Sequence, residues 1–357
     1  MRAALTRDKT LVVTDVADPI PLDGQVLVRT LACGICGSDL HALSDPDAFM
    51  ATTRLSGGTP YDPRDGLVFG HEYAAEILAY GPNTEQALPI GTKVCGPPIG
   101  LGPAGAGIIG YSPMFPGGYG ELMVLTENFV MEIPNGLDPS VAALTEPFSV
   151  AHRAVAKASL APDSVAVVLG LGPIGLGVVA ALKARGHGPV WAVDFSPRRR
   201  ALAETLGADE VIDPAVSSPY DRWSDLGMPV TTVEHLTYEI LGMPVRQAVV
   251  FECVGVPGML QQVIEGAPAG STIMVVGVCM SDDVVLPGVA VSKELTLRGT
   301  FGASPAQYQA TLLDIAEGRI DAGSIITGTV GLDGLAQAFT DLGSPNKHAK
   351  IVVDPTR

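Results

Sequence analysis

Aromatic side chains are scarce in this sequence, at 5% of its residues, while glycine (42) and proline (29) are plentiful. That balance fits a turn-rich globular α/β protein and not a fibrous or disordered one. Basic charge is also short: 22 Lys and Arg face 38 Asp and Glu, a formal net charge of -16. Long-range attraction to nucleic acid or an anionic membrane is therefore disfavoured, and the cluster Arg198-Arg199-Arg200 is too short to reverse it. The five cysteines are odd in number and form no disulfide-like framework, so in a reducing compartment they would serve as core residues, metal ligands or thiols. Glycine and proline interrupt every apolar run before it reaches the roughly 18 residues of a membrane span. The first residues lack the apolar core of a signal peptide, so a cytoplasmic location is the expectation. At 357 residues the chain is long enough for two domains with separate cores.

Against this background one stretch is chemically dense. Cys36-Gly37-Ser38-Asp39-Leu40-His41 packs a thiol, a hydroxyl, a carboxylate and an imidazole together, after a β-branched strand at Val26–Thr30. Cys33 makes a formal C-x-x-C pair with Cys36. No second cysteine pair completes a four-thiolate site, so Cys33 is read as buried. Residues 44–67 lack periodicity and read as a long surface loop, followed by Gly70-His71-Glu72 at the start of an apolar run. Catalytic zinc takes three protein ligands of N, S or O type and leaves one position open; Cys36 and His71 would supply sulfur and nitrogen. Residues 95–120 read as low-complexity loop. A helical stretch then runs from Asp138 to about Leu160, with Pro147 breaking or restarting it beside Glu146. Alone, Glu146 reads as a surface or capping carboxylate.

The second half alternates strands and helices. A continuous apolar run at Ser164–Leu169 reads as a strand buried on both faces. It is followed by Gly170-Leu171-Gly172-Pro173-Ile174-Gly175 and a helix through Ala184. G-x-G-x-x-G between a strand and a helix is the setting in which a pyrophosphate can approach the helix N-terminus. The next strand, Val190–Val193, ends at Asp194, where a carboxylate would bind the adenine ribose and repel a 2′-phosphate. NAD is therefore favoured over NADP, although arginines such as Arg199 could pair with such a phosphate. Further strands are expected at 211–212, 248–252, 272–277 and 294–298, and residues 217–245 read as a helical insertion covering the sheet. The tail, from about residue 300, lacks this alternation and returns to the N-terminal domain.

Together these pieces resemble the zinc-containing medium-chain alcohol dehydrogenase family, nearest its sorbitol, polyol and threonine dehydrogenase-like branch. The matching motifs are Gly34-Ile35-Cys36-Gly37-Ser38-Asp39-x-His41, Gly70-His71-Glu72, Glu146-Pro147 and the glycine-rich turn with Asp194. The resemblance implies a GroES-like, β-rich catalytic domain (residues 1–152 and 300–357) and a Rossmann doubly wound parallel-sheet domain (153–299). It implies Cys36 and His71 as zinc ligands, with Glu72 and Glu146 binding zinc directly or through its water. Asp39 would orient His71, and Ser38 and His41 would relay the alcohol proton outward while a hydride passes to the nicotinamide. Cofactor contacts would come from Gly170, Gly172, Pro173, Ile174, Gly175, Asp194, Arg199, Val276, Gly277, Val278 and Phe301.

Departures from the family pattern shape the expectation. Only Cys95 stands where many relatives carry four structural-zinc cysteines, so one zinc per chain is expected. Ala42 and Gly302-Ala303 stand where polyol-oxidising relatives show a tyrosine and an arginine–tyrosine pair. A pocket without those donors would leave a polyol's hydroxyls unpaired, favouring a less polar secondary alcohol or ketone. The stretch 44–66 is longer than usual and is expected to shape the pocket mouth. The rival readings are a polyol, sugar or amino-alcohol dehydrogenase and, from another class, a non-catalytic nucleotide-binding protein. A homodimer or homotetramer is expected by analogy with relatives.

Overall fold

The computed structural model describes residues 1–103 and 105–357. The chain forms two compact units, Met1–Ser149 with Ala303–Arg357, and Val150–Gly302.

The first unit is built on a mixed sheet in the order Ile326–Val330, Lys350–Val353, Gln25–Gly34, Glu72–Tyr80, Lys93–Cys95 and Met131–Glu132. Its long central strand, Gln25–Gly34, changes neighbours along its length. The first half pairs with Leu122–Thr126, and its end pairs with the C-terminal strand, Val352 opposite Gly34. On the other side Glu72 lies opposite Gly34 and Tyr73 opposite Cys33. This register brings three distant parts of the sequence to one point, the end of the central strand. Cys33 is completely buried there, as a strand cysteine entering a core should be.

Two stretches read as loop are partly regular. Within 44–67, Pro46–Leu55 is a helix capped by Asp45, whose side chain accepts from the Ala48 amide at 3.1 Å. The Asp-Pro start signal is the same one that opens the helix at Pro139; the weak periodicity arises because the helix buries little beyond Phe49, while Leu55 is 90% exposed. Within 95–120, Ile99–Gly102 and Gly105–Ile108 form an antiparallel pair, small residues here hiding strand character. Ala104, inside that stretch, lies outside the described residues. Near Glu146 the helix does restart: Pro139–Ala142 is followed by Thr145–Ala158, with Pro147 in the first turn, where a missing amide costs little.

The second unit carries a parallel sheet in the order Glu210–Ile212, Val190–Val193, Val165–Leu169, Ala248–Glu252, Thr272–Val275, Thr296–Gly299. All its neighbouring strands run parallel, and the direction of winding reverses between Val165–Leu169 and Ala248–Glu252. Ligands of doubly wound sheets bind in the crevice beyond the strand ends at such a reversal. The insertion after Ile212 contains a 3-10 turn at Pro219–Leu226 and a helix at Thr232–Ile240. It is anchored by Trp223, which is fully buried, stacks on Trp191 with ring centroids 6.1 Å apart, and donates to the Gly266 carbonyl at 2.8 Å.

Candidate active site

Cys36 sits at the N-cap of the helix Gly37–Ser44, held extended at φ -90° and ψ 150° by the strand that leads into it. Asp39, one turn on, is fully buried and accepts from the Cys36 amide at 3.3 Å. His71 and Glu72 arrive on the neighbouring strand through the Gly34–Glu72 register. One ligand atom from each of Cys36, His71 and Glu72 lies within 4.8 Å of the other two. The Nδ1 atom of His71 lies 3.5 Å from Asp39 Oδ1, which leaves Nε2 as the ring nitrogen free for a ligand.

Asp39 is the hub of this cluster. Tyr119 donates to its Oδ2 at 2.7 Å and Tyr111 to its Oδ1 at 2.7 Å. Burial opposes ionisation of Asp39, but His71 beside it and the hydrogen bonds from His71, Tyr119 and Tyr111 hold its carboxyl below the usual range. Burial and the same carboxylate push both phenols well above their ordinary value, so both remain donors. Burial likewise disfavours a charged His71, yet Asp39 and Cys36 outweigh it and raise its pKa well above the usual value. The site therefore draws positive charge inward.

Glu72 is fully buried, and its Oε1 has no hydrogen-bond partner. Its Oε2 forms an ion pair with Lys350, whose ammonium also donates to the Ile35 carbonyl at 2.7 Å. Gly34 is required between them, because a Cβ there would collide with Glu72 Oε2 and lie 2.9 Å from Lys350 Cε. Glu146 does not join the three-ligand set. Burial pushes it up to about 7, with Glu72 adding to the rise and His71 and Lys350 opposing it. A sulfur, a nitrogen and an orphaned carboxylate oxygen converging in a buried, cation-favouring site fit zinc, which takes three protein ligands in a catalytic site.

Of the two residues expected to relay protons, Ser38 is half-buried and its Oγ lies 3.2 Å from Cys36 Sγ and 2.8 Å from the Tyr111 hydroxyl. His41 is exposed on the same helix. Ala42 is fully buried and offers no donor. Three contributors escape a reading of the sequence. Tyr111 and Tyr119 lie in the glycine-rich stretch, where three aromatics (with Phe115) in a chain so poor in them were the available signal. Lys350 opens an apolar terminal strand, and a lone charge at an inward strand position was its signal.

In the second unit the glycine-rich turn links Val165–Leu169 to the helix Pro173–Ala184, with Gly172 at the N-cap and Pro173 at the first helical position. Gly170 has φ +84°, and a Cβ on Gly175 would collide with the Gly170 carbonyl, so both positions demand glycine. Ile174 follows in the first turn, whose amides are free for an anion. Asp194 accepts from the Leu171 amide at 2.8 Å and the Ser196 amide at 2.7 Å, while Arg199 Nη1 stands 3.8 Å away. Val276 and Gly277 follow the strand Thr272–Val275, both amides donating to the Glu252 carbonyl; Val278 and Phe301 are exposed.

Comparison with known proteins identifies the family. A family profile described as an alcohol dehydrogenase GroES-like domain matches residues 22–135, and one described as a zinc-binding dehydrogenase matches residues 173–317. The chain is 30% identical to the (R,R)-butanediol dehydrogenase of Bacillus subtilis (strain 168) over 97% of both chains. It is 28% identical to the sorbitol dehydrogenase of the same strain, over 93% of this chain and 91% of that one. The crystal structure of 2R,3R-butanediol dehydrogenase from Bacillus subtilis superposes with a TM-score of 0.81, at 28% identity and 99% coverage of each chain. The chain belongs to the zinc-containing medium-chain alcohol dehydrogenase family.

Proposed function

We propose that this protein interconverts a secondary alcohol and its ketone, using one zinc ion held by Cys36, His71 and Glu72, and NAD. The observation that carries the reading is the convergence of those three ligand atoms beside the Ser38 hydroxyl. Zinc there supplies Lewis acidity that lowers the pKa of the substrate hydroxyl, and the nicotinamide supplies the hydride acceptor. Ser38 takes the departing proton, and the exposed His41 delivers it to solvent. Asp39 fixes the His71 ring, and Lys350 holds the Glu72 carboxylate toward the ligand set. Glu146, close enough to feel Glu72 and His71, would act on the zinc through its water, with Glu72 as the third protein ligand.

A single zinc per chain follows from Cys95, buried in the sheet with no cysteine cluster in the sequence around it. NAD is assigned because Asp194 places a fixed carboxylate at the strand end. Arg200, one of the three clustered arginines, is already committed to Asp213 at 3.0 Å and to the Asp194 and Phe195 carbonyls. A less polar substrate than a polyol is favoured by Ala42, and the likeness to a butanediol dehydrogenase supports a small one. Thr296–Gly299 is an exposed strand at one end of the parallel sheet, an edge suited to a second copy, which supports a homo-oligomer.

The test is direct. Metal analysis of the purified protein should give one zinc per chain, and absorbance at 340 nm should rise with NAD and small secondary alcohols faster than with sorbitol or threonine. A metal-free protein, active with NADPH on quinones, would contradict the assignment.

A further inference from the structure

Glu252, only 3% exposed, closes the strand Ala248–Glu252, and the proposed chemistry does not use it. In register it lies between Leu169 and Val275, so the turns leaving three parallel strands begin beside it. Its Oε1 accepts from the Val254 amide at 2.6 Å and the Gly255 amide at 2.8 Å. Its carbonyl accepts from the Val276 amide at 2.9 Å and the Gly277 amide at 2.8 Å. One residue thus holds two turns, its own through the side chain and its neighbour's through the backbone. The turns also touch each other directly. A Cβ on Gly255, whose φ is +67°, would lie 2.6 Å from the Val278 nitrogen, and one on Gly277 would collide with the Gly255 nitrogen. With glycine on both sides, a shift of residues 254–255 is passed on to residues 277–278. A buried carboxylate is costly unless hydrogen-bonded, and a leucine would fill a strand end equally well, so the two side-chain bonds are what glutamate adds here.

We propose that Glu252 is a positioning residue for the nicotinamide half of the coenzyme. A doubly wound sheet carries two mononucleotide-binding halves, one on each side of the reversal in winding. Asp194 lies on the Val190–Val193 side, where the adenine ribose is assigned, which leaves the nicotinamide half to the turns beyond Ala248–Glu252 and Thr272–Val275. The Glu252 carboxylate fixes residues 254–255, and their contact with Gly277 fixes residues 276–278 before the coenzyme arrives. Backbone set in place in advance loses no freedom on binding, and affinity rises accordingly. The Asp194 side is held separately, by the Leu171 and Ser196 amides. This inference rests on the coenzyme reading above and needs nothing from the zinc site.

Glu252→Leu tests it, because a side chain of similar bulk remains and the acceptor is lost. The Kd for NADH, read by its fluorescence, should rise about 10- to 100-fold. The Kd for ADP-ribose, which lacks the nicotinamide, should change by less than about threefold in calorimetry, with zinc content unaltered. Glu252→Gln keeps an acceptor oxygen and should bind NADH within about threefold of wild type. Should Glu252→Leu not fold, Gly255→Ala reads the same link with Glu252 in place. Its methyl presses the two turns apart, and the same loss, confined to NADH, is expected. NADH bound as tightly by Glu252→Leu or Gly255→Ala as by wild type overturns the inference. So does an equal loss of NADH and ADP-ribose, which marks general loosening, or a Glu252→Gln as weak as Glu252→Leu, which marks the charge as what matters. All three results leave the coenzyme reading standing. A wild-type protein that binds neither NADH nor ADP-ribose overturns that reading, and this inference with it.

Discussion

Lys350 and Glu72 form an ion pair in which each side chain is only 1% exposed. They stand on strands that flank the end of Gln25–Gly34, and Gly34, lacking a side chain, is what lets them meet. Burial works against a charged Lys350, but Glu72, Cys36 and Glu146 together more than offset it and raise its pKa above the ordinary value. Such a pair is weak evidence for added stability, yet breaking it leaves an uncompensated buried charge.

Lys350→Met should therefore destabilise the metal-free protein by about 3–5 kcal/mol. Zinc beside Glu72 provides an alternative positive charge, so the loss should be smaller in the metal-loaded protein. Urea unfolding followed with and without a chelator measures both. Equal losses in the two forms would mean that Lys350 acts only as packing.

Much of this site is legible in sequence because its members sit in local motifs. Cys36, Ser38 and Asp39 are placed by one helical turn, and Gly70-His71-Glu72 by one strand start. The glycine-rich turn is legible for the same reason: strand, turn and helix are contiguous. What stays hidden depends on long-range register. Lys350 reaches Glu72 only because the C-terminal strand pairs with Gly34, and no local pattern encodes that pairing. Tyr111 is hidden because small residues mask the strands before it, and the helix Pro46–Leu55 because it buries one narrow face.

Gly34→Ala offers a check on the register itself. The added methyl would collide with the terminal oxygen of Glu72 and press on Lys350, and the two chain ends are pinned by their buried ion pair. Overpacking of this kind costs about 1–3 kcal/mol, and here it should also lower zinc occupancy by displacing a ligand. Metal analysis after purification reads the second effect; full occupancy would show that Glu72 is not needed to hold the ion.

Asp194→Ala addresses coenzyme choice. The carboxylate is fixed by the Leu171 and Ser196 amides, and Arg199 stands 3.8 Å from it. Without it, repulsion of a 2′-phosphate disappears and Arg199 is released to pair with that phosphate. The ratio of kcat/KM for NADP over NAD should rise about 10- to 100-fold, equal to about 1.4–2.7 kcal/mol of altered discrimination. An unchanged ratio would place the coenzyme's ribose elsewhere.

Phe49 connects the helix Pro46–Leu55 to the metal-ligand cluster. It is 8% exposed and packs on Tyr111, whose ring in turn packs on His71. A segment that touches the site through two aromatic rings can change the shape of the pocket without touching a ligand. Phe49→Ala should therefore leave zinc content intact and enlarge the space beside Tyr111, so that bulkier secondary alcohols gain relative to small ones. The removed ring also costs about 3–5 kcal/mol of stability if the cavity stays empty, and less if substrate fills it. The signature to look for is a changed order of kcat/KM across alcohols of increasing size, together with a larger stabilisation by bulky alcohols than in wild type. A uniform fall in kcat/KM for every alcohol, with no change in order, would mean that the helix supports Tyr111 without shaping what the pocket accepts.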